Sequence, residues 1–176
     1  MLFTHDAQAS LRTVAALVNS RLDEDSLTTL ADLDAFCAQW EVSGRRDRDG
    51  AELAAVRDLR PRLAGLWLAE EEVLVEGVNA LLREGDALPQ LVRHDGWDWH
   101  LHAHRSDAPL AMRLAVEAAM ALVDVVRGGE RDRLSVCAAE DCEALVVDLS
   151  RNRSRKFCEA GCGNRLAAQA YRARRA

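Results

Sequence analysis

The segment CAAEDCEALVVDLSRNRSRKFCEAGCGNR, from Cys137 to Arg165, holds four of the five cysteines of the chain. Four residues separate the first two cysteines, three separate the last two, and fifteen lie between the pairs. A zinc ion takes four thiolate or imidazole ligands at the corners of a tetrahedron, and two short-range pairs supply such ligands well. The spacing therefore predicts that Cys137, Cys142, Cys158 and Cys162 bind one structural Zn²⁺ ion.

Short elements are predicted on both sides of these cysteines. LSVC (134–137) and ALVVD (144–148) are typical of short strands around the first pair, and NRLAAQAYRARR (164–175) is typical of a helix after the second pair. A segment of about 45 residues has too little apolar core to fold without a cross-link. A bound metal would supply that cross-link, whereas free thiols or a redox pair are the alternatives.

The preceding part of the chain is dominated by helical patterns. Apolar residues recur at helical spacing in segments 7–22, 29–40, 51–69, 69–85 and 106–129. Thr29 and Asp32 resemble a capping box, and Gly85 is predicted to end the fourth helix. Pro61 lies inside the third pattern, so we expect a kink or an end near residues 59–60. Cys37, beside an apolar stripe, is predicted to be a small core residue.

One segment alternates with a period of two. In WDWHLHAH (97–104), Trp97, Trp99, Leu101 and Ala103 share one face of a predicted strand, and Asp98, His100, His102 and His104 share the other. Asp95-Gly96 is a hairpin turn signal, and LPQLV (88–92) is the predicted partner strand. A solvated face is the favoured interpretation of the histidines. A metal site or a pocket lining is the alternative.

The last long helix of the body is predicted to start after Ser106 or Asp107 as its cap, with Pro109 in its first turn and Gly128-Gly129 at its end. The predicted fold class is mainly α with a small β-hairpin (α+β). It comprises a helical N-terminal domain, residues 1–129, and a small C-terminal four-cysteine zinc finger, residues 130–176.

Charge is distributed unevenly along the chain. The net charge is −6, but residues 151–176 hold eight basic residues and one acidic residue, a net +7, while residues 1–150 carry −13. An acidic body with a basic tail is typical of a protein that meets a polyanion. The alternative is a tail that neutralises its own acidic body, and charge alone leaves both open.

Candidate nucleic-acid contacts lie in loop 151–156 and on the final helix. In the loop, Asn and Ser alternate with basic residues, and both favour turns. Basic and amide side chains share one face of the helix at spacings of four and three. Such side chains suit contact with phosphates and base edges, although a solvated face is the alternative. The predicted nucleic-acid-binding set is Arg151, Arg153, Arg155, Lys156, Arg165, Gln169 and Arg172.

Several classes of protein are disfavoured by what the sequence lacks. No apolar run approaches the ~20 residues that cross a bilayer, and the first residues do not resemble a signal peptide. We therefore expect a cytoplasmic protein without membrane contact, in which cysteines stay reduced or bind metal. No Gly-rich phosphate loop, G-x-S-x-G or H-E-x-x-H motif occurs, so we expect no enzyme.

Residues 133–175 resemble a known family. Cys162-Gly163-Asn164-Arg165 spells the motif that names the CGNR zinc finger, and residues 148–155 resemble its D-x-S-R-N-x-S-R stretch. The four cysteines fall where the zinc cysteines of that family fall. Two details differ: three residues separate the second pair where many members have four, and Phe157 stands where the aromatic residue is often Trp.

The body resembles the ABATE domain that commonly precedes this finger. The resemblance rests on the Val-Asn of LVNSRLDE (17–24), a helix-rich middle and a hairpin before the last long helix, although LVNSRL departs from the usual L-x-F-V-N-T. Bacterial-type proteins of this kind are described as stress-linked transcription regulators. The resemblance implies DNA binding by the finger and sensing or assembly by the body.

Three functions remain open from the sequence. The first, which we adopt, is a DNA-binding transcription regulator. The second is a sensor whose body binds a small-molecule effector. The third is a protein–protein adaptor whose finger docks on an acidic surface, including that of a second copy in a homodimer. For the sensor, the candidate pocket residues, which are equally candidates for the core, are Trp40, Trp67, Trp97 and Trp99.

Overall fold

The computed structural model describes residues 3–22, 24–93, 96 and 98–175. Within them, helices and short strands follow in the order α1 (His5–Asn19), α2 (Leu30–Gln39), α3 (Gly50–Leu68), α4 (Glu71–Glu84), β1 (Gln90–Val92), β2 (His100–His102), α5 (Leu110–Arg127), β3 (Leu134–Val136), β4 (Leu145–Val147) and α6 (Cys162–Ala173). A 3₁₀ turn, Arg131–Arg133, leads from α5 into β3. The predicted class, mainly α with small β, is confirmed, and a second hairpin is present. The predicted division after residue 129 stays a prediction.

Helix α5 lies at the centre of the body, packed against α1, α3 and α4. Small residues make this possible, because Ala118 and Ala119 are fully buried and let neighbouring helices approach closely. Trp67 of α3 is also fully buried, and Cys37 is buried as predicted. Trp40 packs partly buried against this core, whereas Trp99 is 64% exposed. No helix among the described residues is both long and apolar enough to cross a membrane.

Two of the predicted helix ends are confirmed. Thr29 caps α2 by accepting a hydrogen bond from the backbone N–H of Asp32, whose carboxylate accepts one from the backbone of Thr29. Gly85 is the residue that ends α4. Both ends follow local backbone chemistry, which a sequence displays directly.

Of the two outcomes expected near residues 59–60, the helix end is wrong, because α3 continues through Pro61 to Leu68, and the kink stays a prediction. Proline lacks the N–H that would bond to the carbonyl four residues earlier, which is that of Arg57. The side chain of Arg60 compensates, since its Nε lies 3.3 Å from that carbonyl oxygen and donates to it. The helix therefore keeps the carbonyl hydrogen-bonded and remains continuous.

The expected cap of α5 is also wrong. Pro109 itself occupies the N-cap position, and no side chain caps this end. The carboxylate of Asp107 is engaged elsewhere, because it accepts hydrogen bonds of 2.8 and 2.9 Å from Arg105. Gly128 ends the helix as predicted.

The first hairpin is confirmed, but the histidine face is not the solvated one. Strands β1 and β2 are antiparallel, with Gln90 opposite His102 and Val92 opposite His100. His100 is buried, while Leu101 is exposed, so the interpretation of the histidines as a solvated face is wrong. The reason is tertiary: the histidine face turns towards a carboxylate on α5. The turn residue Asp95, with His94 and Trp97, lies outside the described residues.

The second hairpin joins the body to the cysteine segment. Strands β3 and β4 are antiparallel, with Leu134 opposite Val147. Both residues belong to the same buried cluster as the helices, whereas Val146 lies in a second cluster with the cysteines. Because side chains alternate along a strand, one face of this hairpin packs on the helical body and the other packs on the cysteine segment.

Asn19, the last residue of α1, holds this hairpin on the body. Its side-chain amide donates to the carbonyl of Leu145 at 2.9 Å and accepts from the N–H of the same residue at 2.7 Å. On the neighbouring strand, the indole N–H of Trp67 donates to the carbonyl of Ser135 at 3.3 Å. The side chain of Asn19 therefore bonds the free backbone edge of β4, in the place that a further strand would take.

Candidate metal centre and basic surface

The elements of the second hairpin and of α6 bring the four predicted metal ligands together. Cys137 directly follows β3, and Cys142 lies in the connection that leads into β4. Cys158 precedes α6, and Cys162 is its first residue. Gly161, the N-cap residue, has a φ of 89°, a conformation that glycine adopts without strain. The three-residue spacing of the second pair is accommodated by this glycine.

The geometry of the cluster fits a tetrahedral metal ion. The four sulfur atoms lie within 4.8 Å of one another. The sulfur of Cys158 lies 3.8 Å from that of Cys142 and 3.6 Å from that of Cys162. A tetrahedral ion with bonds of ~2.3 Å to sulfur would separate its ligands by about 3.8 Å. The donor set and its spacing therefore fit a closed four-thiolate site.

Backbone N–H groups stabilise negative charge on the cluster. The N–H of Cys158 donates to the sulfur of Cys137 at 3.4 Å. Burial raises the pKa of Cys137, but hydrogen bonds from the backbone of Ala139 and of Cys158 outweigh it and lower that pKa to about 7. A thiolate is the form that binds metal, so Cys137 is held in its ligand state, whereas the pKa values of Cys142 and Cys158 are raised by burial and by the neighbouring sulfur atoms.

A small apolar cluster surrounds the sulfurs. It includes Val146 and is flanked by Phe157 and Leu166. A Cβ atom at Gly163 would lie only 3.0 Å from the ring of Phe157, so the glycine of the CGNR motif lets this ring pack against the start of α6. The aromatic residue before the third cysteine thus has a packing role.

Loop 151–156 is organised by the buried carboxylate of Asp148. One oxygen accepts from the N–H of Ser150 at 2.8 Å and from its hydroxyl at 2.5 Å, and the other accepts from the N–H of Arg155 at 2.8 Å. The hydroxyl of Ser150 in turn accepts from the N–H of Ser154 at 3.0 Å. Arg133 donates to the carbonyls of Asp148 and Ser150, both at 2.8 Å. The family's D-x-S-R-N-x-S-R pattern therefore encodes a self-bonded loop.

Three of the predicted nucleic-acid contacts are engaged in ion pairs. Arg165 makes a bidentate pair with Asp141, at 2.5 and 2.6 Å. Arg155 pairs with Glu159 at 3.0 Å, four residues along the chain. The third, Arg153, pairs at 2.9 Å with Glu130, which also binds the buried Arg133. These contacts fit the alternative in which part of the basic tail neutralises acidic groups of its own chain.

The other predicted contacts face solvent. Arg151, Lys156, Gln169 and Arg172 are exposed. Among the described residues, none of the three cations in this group makes an ion pair. They are the part of the predicted set that remains available to a partner.

The body holds a cavity of about 1510 Å³ between α1, α2, the first hairpin and α5. Its lining includes apolar residues such as Leu114 and Trp40, together with Arg113, His102 and Glu117. Sequence reasoning did not single out Glu117 or Arg113. The available signal was a single acidic residue within the apolar, alanine-rich run LAVEAAMALV of α5.

Taken together, a helical body and a four-cysteine finger that shares a hairpin with it define a two-part metal-binding protein. Residues 11–129 match the family model of the ABATE domain, described as "Putative stress-induced transcription regulator". Residues 133–175 match the CGNR zinc finger. The first match covers more than half of the chain, so the chain belongs to the ABATE family, with a CGNR zinc finger at its C-terminal side. A search among curated proteins finds no significant match.

Proposed function

We propose that this protein is a DNA-binding transcription regulator whose finger contains one structural zinc ion and contacts the duplex. Four cysteine thiolates at tetrahedral spacing are the preferred ligand set of structural zinc. The ion supplies a cross-link between the hairpin and α6, and the site is closed to substrate because all four positions are filled by protein. The role is regulatory rather than catalytic.

The observation that carries DNA binding is the loop fixed by Asp148. A loop held by its own hydrogen bonds presents Arg151 and Lys156 to solvent without further ordering cost. Arg172 on α6 adds a third exposed cation. Such side chains contact phosphates, and release of counterions makes that binding strongly dependent on salt.

The test is duplex DNA binding by the zinc-loaded full chain across a salt series. The variant carries Arg151→Ala, Lys156→Ala and Arg172→Ala, and the matched control carries Arg83→Ala, Arg93→Ala and Arg127→Ala on the exposed surface of the body. Both variants lose three positive charges. We expect the finger variant to bind more weakly, with a salt slope reduced by about three, and the control to bind like the wild type.

Equal affinity of the two variants would show that the finger does not contact DNA. No binding at low salt by a folded, zinc-loaded chain would favour the adaptor function instead. In that case the finger docks on an acidic protein surface, and size-exclusion chromatography would show whether a second copy of this chain is the partner.

The body cavity favours a second candidate function, the sensing of a small-molecule effector. Its volume, about 1510 Å³, exceeds what a drug-sized ligand needs. An apolar dye, 1-anilinonaphthalene-8-sulfonate, should bind the folded chain, and Thr13→Trp at the lining should reduce that binding. The control is Thr28→Trp at an exposed position. An undiminished signal in Thr13→Trp would place the dye elsewhere and oppose the sensor.

A further inference from the structure

A second group of metal-type ligands lies in the body, outside the finger. His102 is the last residue of β2, His104 lies two residues beyond it, and Glu117 faces them from α5. One carboxylate oxygen, Oε1 of Glu117, lies 2.8 Å from Nδ1 of His102 and 2.9 Å from Nε2 of His104. The two ring nitrogens lie 3.2 Å apart. Three potential ligand atoms thus surround one point at the wall of the cavity.

The hydrogen bonds behind these rings support one arrangement of their protons. Nδ1 of His100 lies 2.7 Å from the carbonyl oxygen of Asp98 and donates to it. In the neutral ring its Nε2 is an acceptor, and this atom lies 3.0 Å from Nε2 of His102. If that ring is neutral, a proton on Nε2 of His102 donates to it and leaves a lone pair on Nδ1 of His102, the atom nearest Glu117.

The same argument applies to the other ring. Nδ1 of His104 lies 3.1 Å from the carbonyl oxygen of Arg105 and donates to it, which leaves the lone pair on Nε2. In this arrangement two imidazole lone pairs and a carboxylate oxygen converge on one point. Such atoms repel one another unless a cation lies among them. An N–H bonded to a carbonyl oxygen behind the ring is also the usual support of a metal-binding histidine.

The distances indicate which geometry such a cation would have. Adjacent ligands at right angles, with bonds of ~2.1 Å, lie about 3.0 Å apart, whereas tetrahedral ligands lie about 3.4 Å apart. Two of the observed separations, 2.8 and 2.9 Å, are close to the octahedral value, and the third, 3.2 Å, lies between the octahedral and tetrahedral values. Two histidines and one carboxylate on one face are a known ligand set for divalent transition metals.

We propose that His102, His104 and Glu117 bind a divalent first-row transition-metal ion, whose remaining coordination positions open into the body cavity. The ligands differ in kind from those of the finger, since imidazole and carboxylate replace four thiolates. This inference goes beyond the proposed function and does not depend on it. The competing state is a single proton shared between His102 and Glu117 as an ion pair.

The test is a titration of the full chain, first loaded with one equivalent of Zn²⁺, with Co²⁺. We expect calorimetry to show a second bound ion, without the absorption band that thiolate-bound cobalt would give if it displaced zinc from the finger. Glu117→Gln and His104→Gln should each weaken this second site by more than about 100-fold. Glu76→Gln, an exposed carboxylate on α4, is the matched control and should leave it unchanged.

The zinc content of the finger and the far-UV circular dichroism spectrum establish that each variant is folded. Binding of only one ion by the wild type would overturn the proposal and leave the proton-sharing network as the state of the cluster. Retention of the second ion by folded Glu117→Gln would overturn it as well. The wild-type stoichiometry decides the question even if a variant does not fold.

Discussion

The helical body and the finger differ in what holds their interiors together. The body buries a continuous apolar cluster that draws on helices α1 to α5, including fully buried Leu11, Trp67 and Leu122. The finger's own buried cluster is small and consists of Cys137, Ala139, Ala144, Val146 and Cys162. Two of those five residues, Cys137 and Cys162, are predicted metal ligands. Hydrophobic burial is therefore extensive in the body, whereas the small cluster of the finger leads us to expect that a cross-link stabilises it.

The hairpin of β3 and β4 belongs to both regions. One of its faces extends the body core, and the other supports the cysteines. Its stability therefore draws on burial. Helix α6 has one buried residue among those described, Cys162, so we expect it to depend on the proposed metal. This difference predicts which elements unfold when the metal or a core side chain is removed.

Removal of the metal should have the largest effect, and it should be confined to the finger. Metal-ligand bonds in zinc-finger peptides are worth about 10 kcal/mol or more, which the small finger cluster cannot replace. In Cys158→Ser, or after chelation, we expect the amides of α6 to lose protection from hydrogen exchange while those of α5 keep it. Cys37→Ser, a cysteine of the body, is the control. Protected α6 amides in Cys158→Ser would show that the finger core suffices alone.

Removal of the largest core side chain should destabilise the body by a smaller amount. Trp67→Ala leaves a cavity and deletes the hydrogen bond to Ser135, so we expect a loss of about 3–5 kcal/mol in the free energy of unfolding. Urea unfolding followed by circular dichroism measures it. Trp99→Ala, at an exposed site, should change stability by less than about 0.5 kcal/mol. Equal effects of the two would contradict the placement of the core.

The next largest loss of stability should come from removing the contact between the body and the second hairpin. Asn19→Ala leaves the N–H and carbonyl of Leu145 without their side-chain partners, so we expect a cost of about 1–3 kcal/mol. Hydrogen exchange should accelerate at β4 more than at α5. Asn152→Ala, in the exposed loop, serves as the control. If β4 exchanged at its wild-type rate in Asn19→Ala, apolar contacts alone would hold the hairpin.

The smallest effect should come from a partly buried ion pair in the body. Asp25 accepts hydrogen bonds of 2.8 and 3.0 Å from the buried Arg60, which lower its pKa from 3.8 to about 2. Because the folded-state pKa is depressed, this stabilisation is present above about pH 4 and is lost as the pH falls towards 2. Its size is about 1–2 kcal/mol, allowing for partial solvent screening.

The unfolding free energy, measured between pH 6 and pH 2, should fall more steeply for the wild type than for Asp25→Asn, by that amount. Asp58→Asn is a control in which an exposed carboxylate of α3 is replaced. Parallel curves for the wild type and Asp25→Asn would show that the pair contributes no pH-dependent stability.

Local chemistry explains which features were predictable from the sequence. The spacing of the cysteines, the Thr29 capping box and the ends at Gly85 and Gly128 each depend on neighbours within a few residues. The cysteine cluster formed as expected because each pair lies at one turn or helix start. The expected end at Pro61 failed because a side chain, that of Arg60, replaced the missing hydrogen bond.

The orientation of the histidines was not predictable in the same way. A period of two separates the two faces of a strand but does not state which face is inside. The polarity of these residues predicted that the histidine face is solvated. That prediction is wrong because the partner of the histidines, Glu117, comes from a helix that follows later in the chain. The burial of Arg113, which donates to the carbonyls of Ala108, Ser43 and Arg45, likewise depends on chain segments far apart in sequence.

The sequence by itself determined most of the helical segments and the clustering of the four cysteines, since both are written in short-range patterns. Only the tertiary structure decided that the second hairpin extends the body core, that Asn19 pairs with Leu145, and that the histidine face meets Glu117. These contacts join residues distant in the chain. Their partners are selected by how helices and strands pack, which a local pattern does not specify.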